Sequence, residues 1–592
     1  MLPVRNSTRR HILTVNLEDY FQVGAFNKYV QKGQWYRFES RLEHHTDKAL
    51  ELLSRHNTKA TFFVLGWVAD HYPELVKRIA DRGHEVASRG YFHRNIRDLS
   101  PEEFRDDLHR AKAAIERASE KKVVGFRTAD GWFRPQDMWA LDVLAAEGYA
   151  YDSSVGPMFR RFAGESWRRF SHIQPTAKGT ITVLPISSMR CAGFDLPIGG
   201  GNWIRQLPDG FMRRAIQRWD DKATAPLVMY FHTWELDREQ PRISTAGWMT
   251  KIRQYRNIDL MEERLGEYLA KYHFSSAAEY LGVATPPVFR PLSDVETPPP
   301  SFRKTEAYSK AGIRPPVSIV VPVYNEEKLV PYMANVLKNV RDAFAERYDL
   351  RFLLVNDGSK DQTCEKLVAS FGQSPDVKIL SHEVNRGVAA AIMTGIRAAD
   401  TEIVCSIDAD CSYDPLELLN MIPKLVGNVD MVTASPYHAD GHVRNVPRWR
   451  LFLSKSASRM YRHVMHNQLQ TYTSCFRVYR RSAVKDIVLR SGNFLGVVEL
   501  LGQLDQRGGR VVEHPTTLEV RMLGRSKMKT VRTIFGHLRM MARFTFTRLT
   551  AHDSRHNTEE RNRTLSLLFD TATATTCHAA LGKPANTATV PK

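Results

Sequence analysis

The sequence predicts an α/β protein built from two successive strand-and-helix units. Three observations carry this reading. The chain has 592 residues, more than one hydrophobic core fills. Short β-branched apolar runs alternate with longer amphipathic segments through most of it, the pattern of helices packed on a mainly parallel sheet. The stretch PPVFRPLSDVETPPPSFRKTEAYSKAGIRPP, near the middle, is rich in proline and lacks apolar periodicity, as suits an extended linker.

In chain order, the expected strands before the linker are HILTVNL, ATFFVLG, HEVAS, VVGF, TITVLPI and LVMYF. Those after it are VSIVVPV, RFLLVN, VKIL, EIVCSI and DMVTAS. ELVKRIADRG and PEEFRDDLHRAKAAIERA have helical spacing and fall between strands. The expected division is therefore a first domain at 1–285, a linker at 286–315, a second domain at 316–550 and a disordered tail at 551–592. The tail is rich in Thr, Ala and Pro and poor in large apolar residues.

Charge and cysteine usage narrow the function classes. Hydrophobic and charged contents of 43% and 25% are those of a globular protein. A net charge of +19 favours an anionic partner. No nucleic-acid-binding module is recognisable, which leaves phosphorylated ligands or an acidic membrane surface. The six cysteines have no CxxC spacing, so neither a zinc knuckle nor a disulfide framework is expected. Asn16, Glu18 and Asp19 interrupt the start before any export signal forms, and no window approaches a membrane span. The expected location is cytoplasmic, peripheral on the inner face of the plasma membrane. Around Val531–Leu549, apolar residues at 531, 534, 535, 538, 541 and 542 and Arg532, Arg539 and Arg543 on another face make a basic amphipathic helix. Such a helix can lie on an anionic membrane or pack on its own domain.

Parallel α/β sheets put their chemistry beyond the carboxyl ends of strands. In the second half VSIVVPV is followed by Tyr324-Asn325-Glu326-Glu327, RFLLVN by Asp357-Gly358-Ser359, and EIVCSI by Asp408-Ala409-Asp410. Two carboxylates one residue apart can share a divalent ion, which in turn can hold a pyrophosphate. In the first half the strand ends carry Glu18 and Asp19, Arg89 and His93, Arg127, Asp152 and His232. Gathered at one barrel mouth, these would suit hydrolysis of an acyl or amide bond.

The motifs VPVYNEE, VNDGS, NRGVAAAIMTGI, SIDAD, YTSCFRVYRR and RMLGRSK, spread over roughly 316–530, resemble glycosyltransferase family 2 and its polyprenyl-phosphate (dolichol-phosphate) sugar synthase branch. The resemblance implies a GT-A, Rossmann-like fold and inverting transfer from a nucleotide sugar to a polyprenyl phosphate or related glycan acceptor. It implies that Pro322, Tyr324, Glu326 and Asp357 hold the nucleoside, that Asp408 and Asp410 hold Mg²⁺ or Mn²⁺, and that Arg521, Ser526 and Lys527 bind phosphate. A lipid phosphate is already anionic, so it needs screening by cations rather than a general base. Glu499 is a candidate for orienting the acceptor, with a cap or an ion pair as the alternative. Ser412 and Pro436 stand where the branch often has glutamine and arginine, which weakens the third metal ligand and part of the pyrophosphate grip.

The first half, from residue 11 to about 282, resembles the NodB-homology polysaccharide deacetylases through EDYFQV, ATFFVLGWVA, GHEVAS, YDSS and HTWELD. The resemblance implies a distorted (β/α) barrel with a divalent metal, commonly zinc. It casts Asp19 and His93 as metal ligands, Glu18 as base, His232 as acid and Arg127 as the group orienting the base. Arg89 stands at the first metal histidine, and a guanidinium has no lone pair for a metal. It is expected to put its charge there and pair with Asp19. Ala129 and Asn16 are further departures. Deacetylation is thus weakened or lost, or is kept through a substitute ligand. The alternatives to a transferase are a bifunctional enzyme whose main output is N-deacetylation and a non-catalytic glycan- or lipid-binding scaffold.

Overall fold

The computed structural model describes residues 9–156, 162, 164–191, 193–288, 314–523 and 535–546. Nearly all of the expected linker, the tail, Ser526 and Lys527 lie outside them. By its contacts the chain forms two compact units, the first built mainly of residues up to Ala311 and the second mainly of those from Gly312.

The first unit holds strands β1 (Arg10–Leu17), β2 (Thr61–Val64), β3 (Glu85–Ser88), β4 (Gly125–Phe126), β5 (Tyr151–Asp152), β6 (His172–Thr176), β7 (Gly179–Val183), the hairpin of β8 (Ser188–Cys191) and β9 (Phe194–Pro197), β10 (Val228–His232) and β11 (His273–Ser275). The main sheet runs β10-β1-β2-β3-β4-β5-β7-β6, with β11 also on β1. Its neighbours are parallel except for the β6–β7 pair. The path ends at β10 and β6, which do not pair with each other, so the (β/α) barrel is distorted. Helices fill the crossovers, as expected at Pro73–Asp81 and Pro101–Ser119. The second starts at a capping box. The Glu103 N–H donates to Ser100 Oγ at 3.2 Å and the Ser100 N–H to Glu103 Oε2 at 2.8 Å. β1 and β2 are buried on both faces, which is why they read as unbroken apolar runs.

The second unit holds β12 (Pro316–Val323), β13 (Asp349–Asn356), β14 (Val377–Ser381), β15 (Ile403–Ser406), β16 (Val429–Ser435), β17 (His442–Arg444), β18 (Arg477–Arg480), β19 (Arg510–Pro515) and β20 (Thr517–Glu519). Its main sheet runs β14-β13-β12-β15-β18-β16-β19, with β17 and β20 as a separate parallel pair. The first four strands of that order are parallel, and β18 is antiparallel to both its neighbours. Strand order therefore reverses beside β12, where β13 lies on one edge and β15 on the other. In a doubly wound sheet this is the switch point at which a ligand crevice opens.

β18 escaped the sequence reading because its apolar pattern is broken by a buried arginine. Arg477 donates to the carbonyls of Val497 at 2.7 Å and Tyr472 at 2.8 Å, so its charge sits in the core with hydrogen-bond partners. The helix at 535–546 corrects the expected stripe. Met540, Met541 and Phe544 pack into the core cluster, while Phe535 and Leu538 face outward. Tyr461 Oη and His537 Nδ1 meet at 2.8 Å beneath it.

Candidate functional site

In the second unit, β12, β13, β14 and β15 end side by side, and their following turns are tied together by hydrogen bonds. Asn325, with φ at 50°, turns the chain after β12. Its N–H donates to Ser359 Oγ at 2.9 Å, and its side-chain oxygen accepts the Lys360 N–H at 2.7 Å. The Glu326 N–H donates to Thr363 Oγ1 at 2.7 Å. Pro322, Tyr324 and Glu326 are half-buried on this tied loop.

Asp357 is the hub of the next turn. Oδ1 accepts the Arg386 N–H at 2.8 Å and bonds His382 Nδ1 at 2.7 Å, while Oδ2 accepts from Asn385 Nδ2 at 2.9 Å and the Gly387 N–H at 2.8 Å. The carboxylate is buried and bonded to the chain on both oxygens, which makes it a clasp for the loop after β14. Gly387 has φ at 98°, and a Cβ there would lie 2.5 Å from the Gly492 carbonyl oxygen, so the loop requires glycine at this point. His382, Asn385 and Gly387 are site residues that strand-end reasoning did not single out, although Asn385 and Gly387 belong to the motif NRGVAAAIMTGI.

After β15, the Cys411 N–H donates to the Asp408 carbonyl at 3.0 Å, and Cys411 takes φ 50°. This tight turn leaves both Asp408 and Asp410 half-exposed. Ser412 donates to Asp410 Oδ1 through its N–H at 3.0 Å and its hydroxyl at 2.7 Å, fixing that carboxylate's orientation. Burial, and after it the Asp408 carboxylate, pushes the Cys475 thiol well above its usual range, so Cys475 faces Asp408 as a neutral group. No set of three or more His, Cys, Asp or Glu comes together as a metal site among the described residues. The pair nonetheless fits a hard cation, because Mg²⁺ and Mn²⁺ are commonly held by one or two carboxylates and by phosphate oxygens of the substrate.

Glu499 takes the ion-pair alternative. It is fully buried, Oε2 accepts the N–H groups of Arg490 at 3.2 Å and Ser491 at 3.0 Å, and Oε1 pairs with Arg543 at 2.7 Å. Arg521 donates to the Leu523 carbonyl at 2.7 Å. Ser526 and Lys527 are not among the described residues.

In the first unit the strand-end groups do gather, around Glu18. The carboxylate is buried, with Oε1 2.5 Å from His232 Nδ1 and Oε2 3.4 Å from His93 Nε2. The Arg89 guanidinium pairs with Glu18 and donates to the Ala129 carbonyl at 2.9 Å. The expected Arg89–Asp19 pair is thus corrected to Arg89–Glu18. Burial by itself would raise the Glu18 carboxyl, but Arg89 and then His232 outweigh it and hold it well below the usual carboxylate range.

Asp19 is engaged elsewhere. Oδ1 accepts the Tyr20 N–H at 2.9 Å, and Oδ2 accepts from Ser40 Oγ at 2.8 Å and the Arg41 N–H at 2.9 Å. His45 Nε2 lies 3.6 Å from Oδ1. Asp19 and His93 therefore face different partners, with a guanidinium bound to the carboxylate between the histidines. The residues present do not fit a catalytic zinc, which needs three ligands converging on one point.

Arg127 bonds Asn16 Oδ1 at 3.2 Å and Ser153 Oγ at 2.8 Å, and no hydrogen bond joins it to Glu18. Burial, with Arg89 close by, pulls its guanidinium down to about 9. Burial likewise pushes Asp152 up to about 7 against the hydrogen bonds from Ser154. Glu235 of the HTWELD motif was missed. Its carboxylate accepts the His232 N–H at 2.9 Å and pairs with the buried Arg205 at 2.8 Å, so it locks the base of the His232 loop.

Comparison with known proteins matches separate stretches of the chain to different families. Residues 318–488 match glycosyl transferase family 2, residues 30–149 match the polysaccharide deacetylase family, and residues 153–282 match a domain of unknown function, DUF3473. A dolichol-phosphate mannosyltransferase of Pyrococcus furiosus is 28% identical over 38% of this chain and 63% of its own length. The chain thus spans less than two thirds of that relative. A polyprenol monophosphomannose synthase of Mycolicibacterium smegmatis is 30% identical over 36% of this chain and 80% of its own length. Among solved structures, a polysaccharide deacetylase from Mycobacterium smegmatis aligns with 49% of this chain and 98% of its own, at 17% identity and a TM-score of 0.32. A mannosyltransferase from Pyrobaculum calidifontis, solved with GDP-Man and Mn²⁺, aligns with 39% of this chain and 65% of its own, at 19% identity and a TM-score of 0.29. With the motif-bearing strand ends in place and a relative covered over most of its length, the chain belongs to glycosyltransferase family 2 and carries in addition a region of the polysaccharide deacetylase type.

Proposed function

We propose that the second unit transfers a sugar from a nucleotide sugar to a polyprenyl phosphate. The observation that carries the reading is the pair Asp408 and Asp410, half-exposed on a tight turn beside the switch point of the sheet. The relatives named for mannosyl transfer to dolichol phosphate and polyprenol phosphate support the acceptor class. In this reading Asp408 and Asp410 hold Mg²⁺ or Mn²⁺, which when bound supplies charge neutralisation at the donor pyrophosphate. The loop carrying Pro322, Tyr324 and Glu326 binds the nucleoside. Asp357 acts as a positioning residue that keeps the neighbouring loop closed. Arg521, Ser526 and Lys527 screen the approach of the phosphate acceptor, and its existing charge removes the need for a general base. Glu499 supports the acceptor side through Arg543 rather than by contact.

The first unit, in the same proposal, no longer hydrolyses acetamides. Arg89 paired with Glu18, and Asp19 turned to Ser40 and Arg41, are what favour this. The division into a first domain at 1–285 and a second at 316–550 belongs to the proposal, as does attachment to the inner face of a membrane. Radiolabelled transfer from several nucleotide sugars to polyprenyl phosphate, with Mg²⁺ or Mn²⁺, tests the transferase reading. Labelled lipid is expected, and its loss in Asp410→Ala. Acetate released from N-acetylhexosamine substrates, and abolished by His232→Ala, would reverse the reading of the first unit.

A further inference from the structure

The fully buried carboxylate of Glu499 has two faces. Oε1 pairs with Arg543 at 2.7 Å. Oε2 accepts the N–H groups of Arg490 at 3.2 Å and Ser491 at 3.0 Å, which open the loop 490–493 before helix Phe494–Gln506. Both donors are backbone groups, so the glutamate shapes the loop itself rather than a side chain upon it. Asn493 closes the loop as the cap of that helix, its side-chain oxygen accepting the Leu495 N–H at 3.0 Å. The loop is thus fixed at both ends.

Between those ends the loop leans on the segment that Asp357 clasps. The Gly492 carbonyl accepts the Ala390 N–H at 2.9 Å, one of the first-turn donors that helix Val388–Ala398 cannot satisfy within itself. A Cβ at Gly492 would overlap the Arg386 carbonyl oxygen, and one at Gly387 would lie 2.7 Å from the Asn493 Cα, so glycine is what lets the two backbones meet. Arg386 and Gly387 are the residues whose N–H groups Asp357 accepts. On the other side of them Gly358 approaches the backbone of Val384 and Asn385 too closely to admit a Cβ, and the neighbouring Ser359 Oγ accepts the Asn325 N–H. Contacts therefore run unbroken from Glu499, through residues 490–493 and 384–387, to the loop that carries Tyr324 and Glu326. A stack of backbone at contact distance transmits a shift rather than absorbing it. We infer that Glu499 is a positioning residue for the donor: through its Oε2 and Gly492 it holds residues 386 and 387 from one side while Asp357 holds them from the other. This rests on the reading that the nucleoside binds at Pro322, Tyr324 and Glu326, and it deepens it by naming a support that lies beyond the strand ends.

Calorimetric titration of UDP and of GDP, each with Mn²⁺, into the full chain reads the donor side without any acceptor. Glu499→Leu removes the acceptor of the Arg490 and Ser491 N–H groups, and Gly492→Ala drives residues 492 and 386 apart. Each is expected to weaken nucleotide binding about tenfold, the loss that follows when the competent loop arrangement falls to roughly one-tenth of the population. Glu499→Gln keeps an oxygen for both N–H groups and gives up only the charge that faces Arg543, so it should bind within about twofold of wild type. Asp505, later in the same helix, accepts the N–H groups of His466 and Asn467. Asp505→Ala should lower melting and leave nucleotide binding unchanged, which separates positioning from general loosening of the helix. In the transfer assay Glu499→Leu should raise the KM for the nucleotide sugar and leave that for polyprenyl phosphate unchanged. Wild-type affinity in Glu499→Leu, a loss in Glu499→Gln as large as that in Glu499→Leu, or an equal loss in Asp505→Ala would overturn the inference while the donor site stands. A wild-type chain that binds neither nucleotide would remove the donor reading, and the inference with it.

Discussion

Arg89 gives the sharpest test of the first unit. Replacing it with methionine keeps most of the side-chain volume and removes the cation from beside Glu18, which is 1% exposed. A buried charge whose partner is removed costs about 3–5 kcal/mol. Spread over a unit of this size, at roughly 3 °C per kcal/mol, this lowers the midpoint of its thermal transition by about 10 °C. The second substitution, Glu18→Gln, removes the stranded charge as well. The double variant Arg89→Met/Glu18→Gln should recover most of the loss, because a neutral pair of similar volume is about as stable as a buried ion pair. The pH dependence has a fixed sign. Arg89 and His232 hold Glu18 below its ordinary value of 4.5. The pair's contribution is therefore complete above that value and is lost as pH falls through the folded one. In Arg89→Met the Glu18 carboxyl rises, so the gap between wild type and variant is widest at neutral pH and narrows in acid. Calorimetry of the full chain, following the transition that Arg89→Met moves, supplies the measurement. A cost under about 1 kcal/mol, or a double variant no more stable than Arg89→Met alone, would refute the claim that Arg89 serves as the internal cation of the site.

Three further outcomes follow from the same geometry. Asp408→Ala and Asp410→Ala should each lower Mn²⁺-dependent transfer by about a hundredfold or more with little change in melting, since both side chains are half-exposed; transfer assays across a Mn²⁺ titration check this. Asp357→Ala should cost about 3 kcal/mol in urea unfolding, as His382, Asn385 and the N–H groups of Arg386 and Gly387 lose their shared acceptor, while Asp357→Asn should cost less. Asp152 has the opposite sign to Glu18: its carboxyl is raised from 3.8 to about 7, so its contribution is present below its unfolded value and is lost as pH rises toward 7. Asp152→Asn, which can keep both bonds to Ser154, should therefore gain stability relative to wild type between pH 5 and pH 8, by up to ~4 kcal/mol; urea unfolding at the two values reads the difference.

The strands that frame both sites were legible because they are buried on both faces. β1, β12 and β13 print as continuous apolar runs, and the polar residue that follows each run marks its carboxyl end. β5 has two residues, too few for periodicity to register, and β18 hides behind a core arginine. Site positions were legible for the same reason that strand ends were. Their pairings were not. Nothing in the spacing says that Arg89 turns to Glu18 rather than to Asp19, because the choice depends on Ser40 and Arg41 arriving from a distant loop to occupy Asp19. Likewise, Asp357 has the look of a ligand-binding carboxylate in sequence, and only the fold brings His382, Asn385 and the Gly387 N–H onto it. The amphipathic stripe failed at Met541 because a helix with apolar residues on most of its circumference does not announce which of them face inward; the contact of His537 with Tyr461 sets that rotation.

The two units meet the same electrostatic problem in different ways. Each gathers carboxylates beyond the ends of parallel strands, and a buried one needs a cation nearby to remain ionised. In the second unit the carboxylates stay half-exposed, and under the proposed function their cation comes from solution with the donor. In the first the carboxylate is sealed from water, and the cation is part of the chain. Simple loss of a metal-binding histidine would have left Glu18 ionised and buried beside a gap, a state that costs several kcal/mol. A guanidinium that reaches both Glu18 and the Ala129 carbonyl removes that cost and fixes His232 and His93 around it. Under the proposed function, Arg89 is a compensated replacement for a metal ligand, and divalent ions are expected to act on this protein through Asp408 and Asp410.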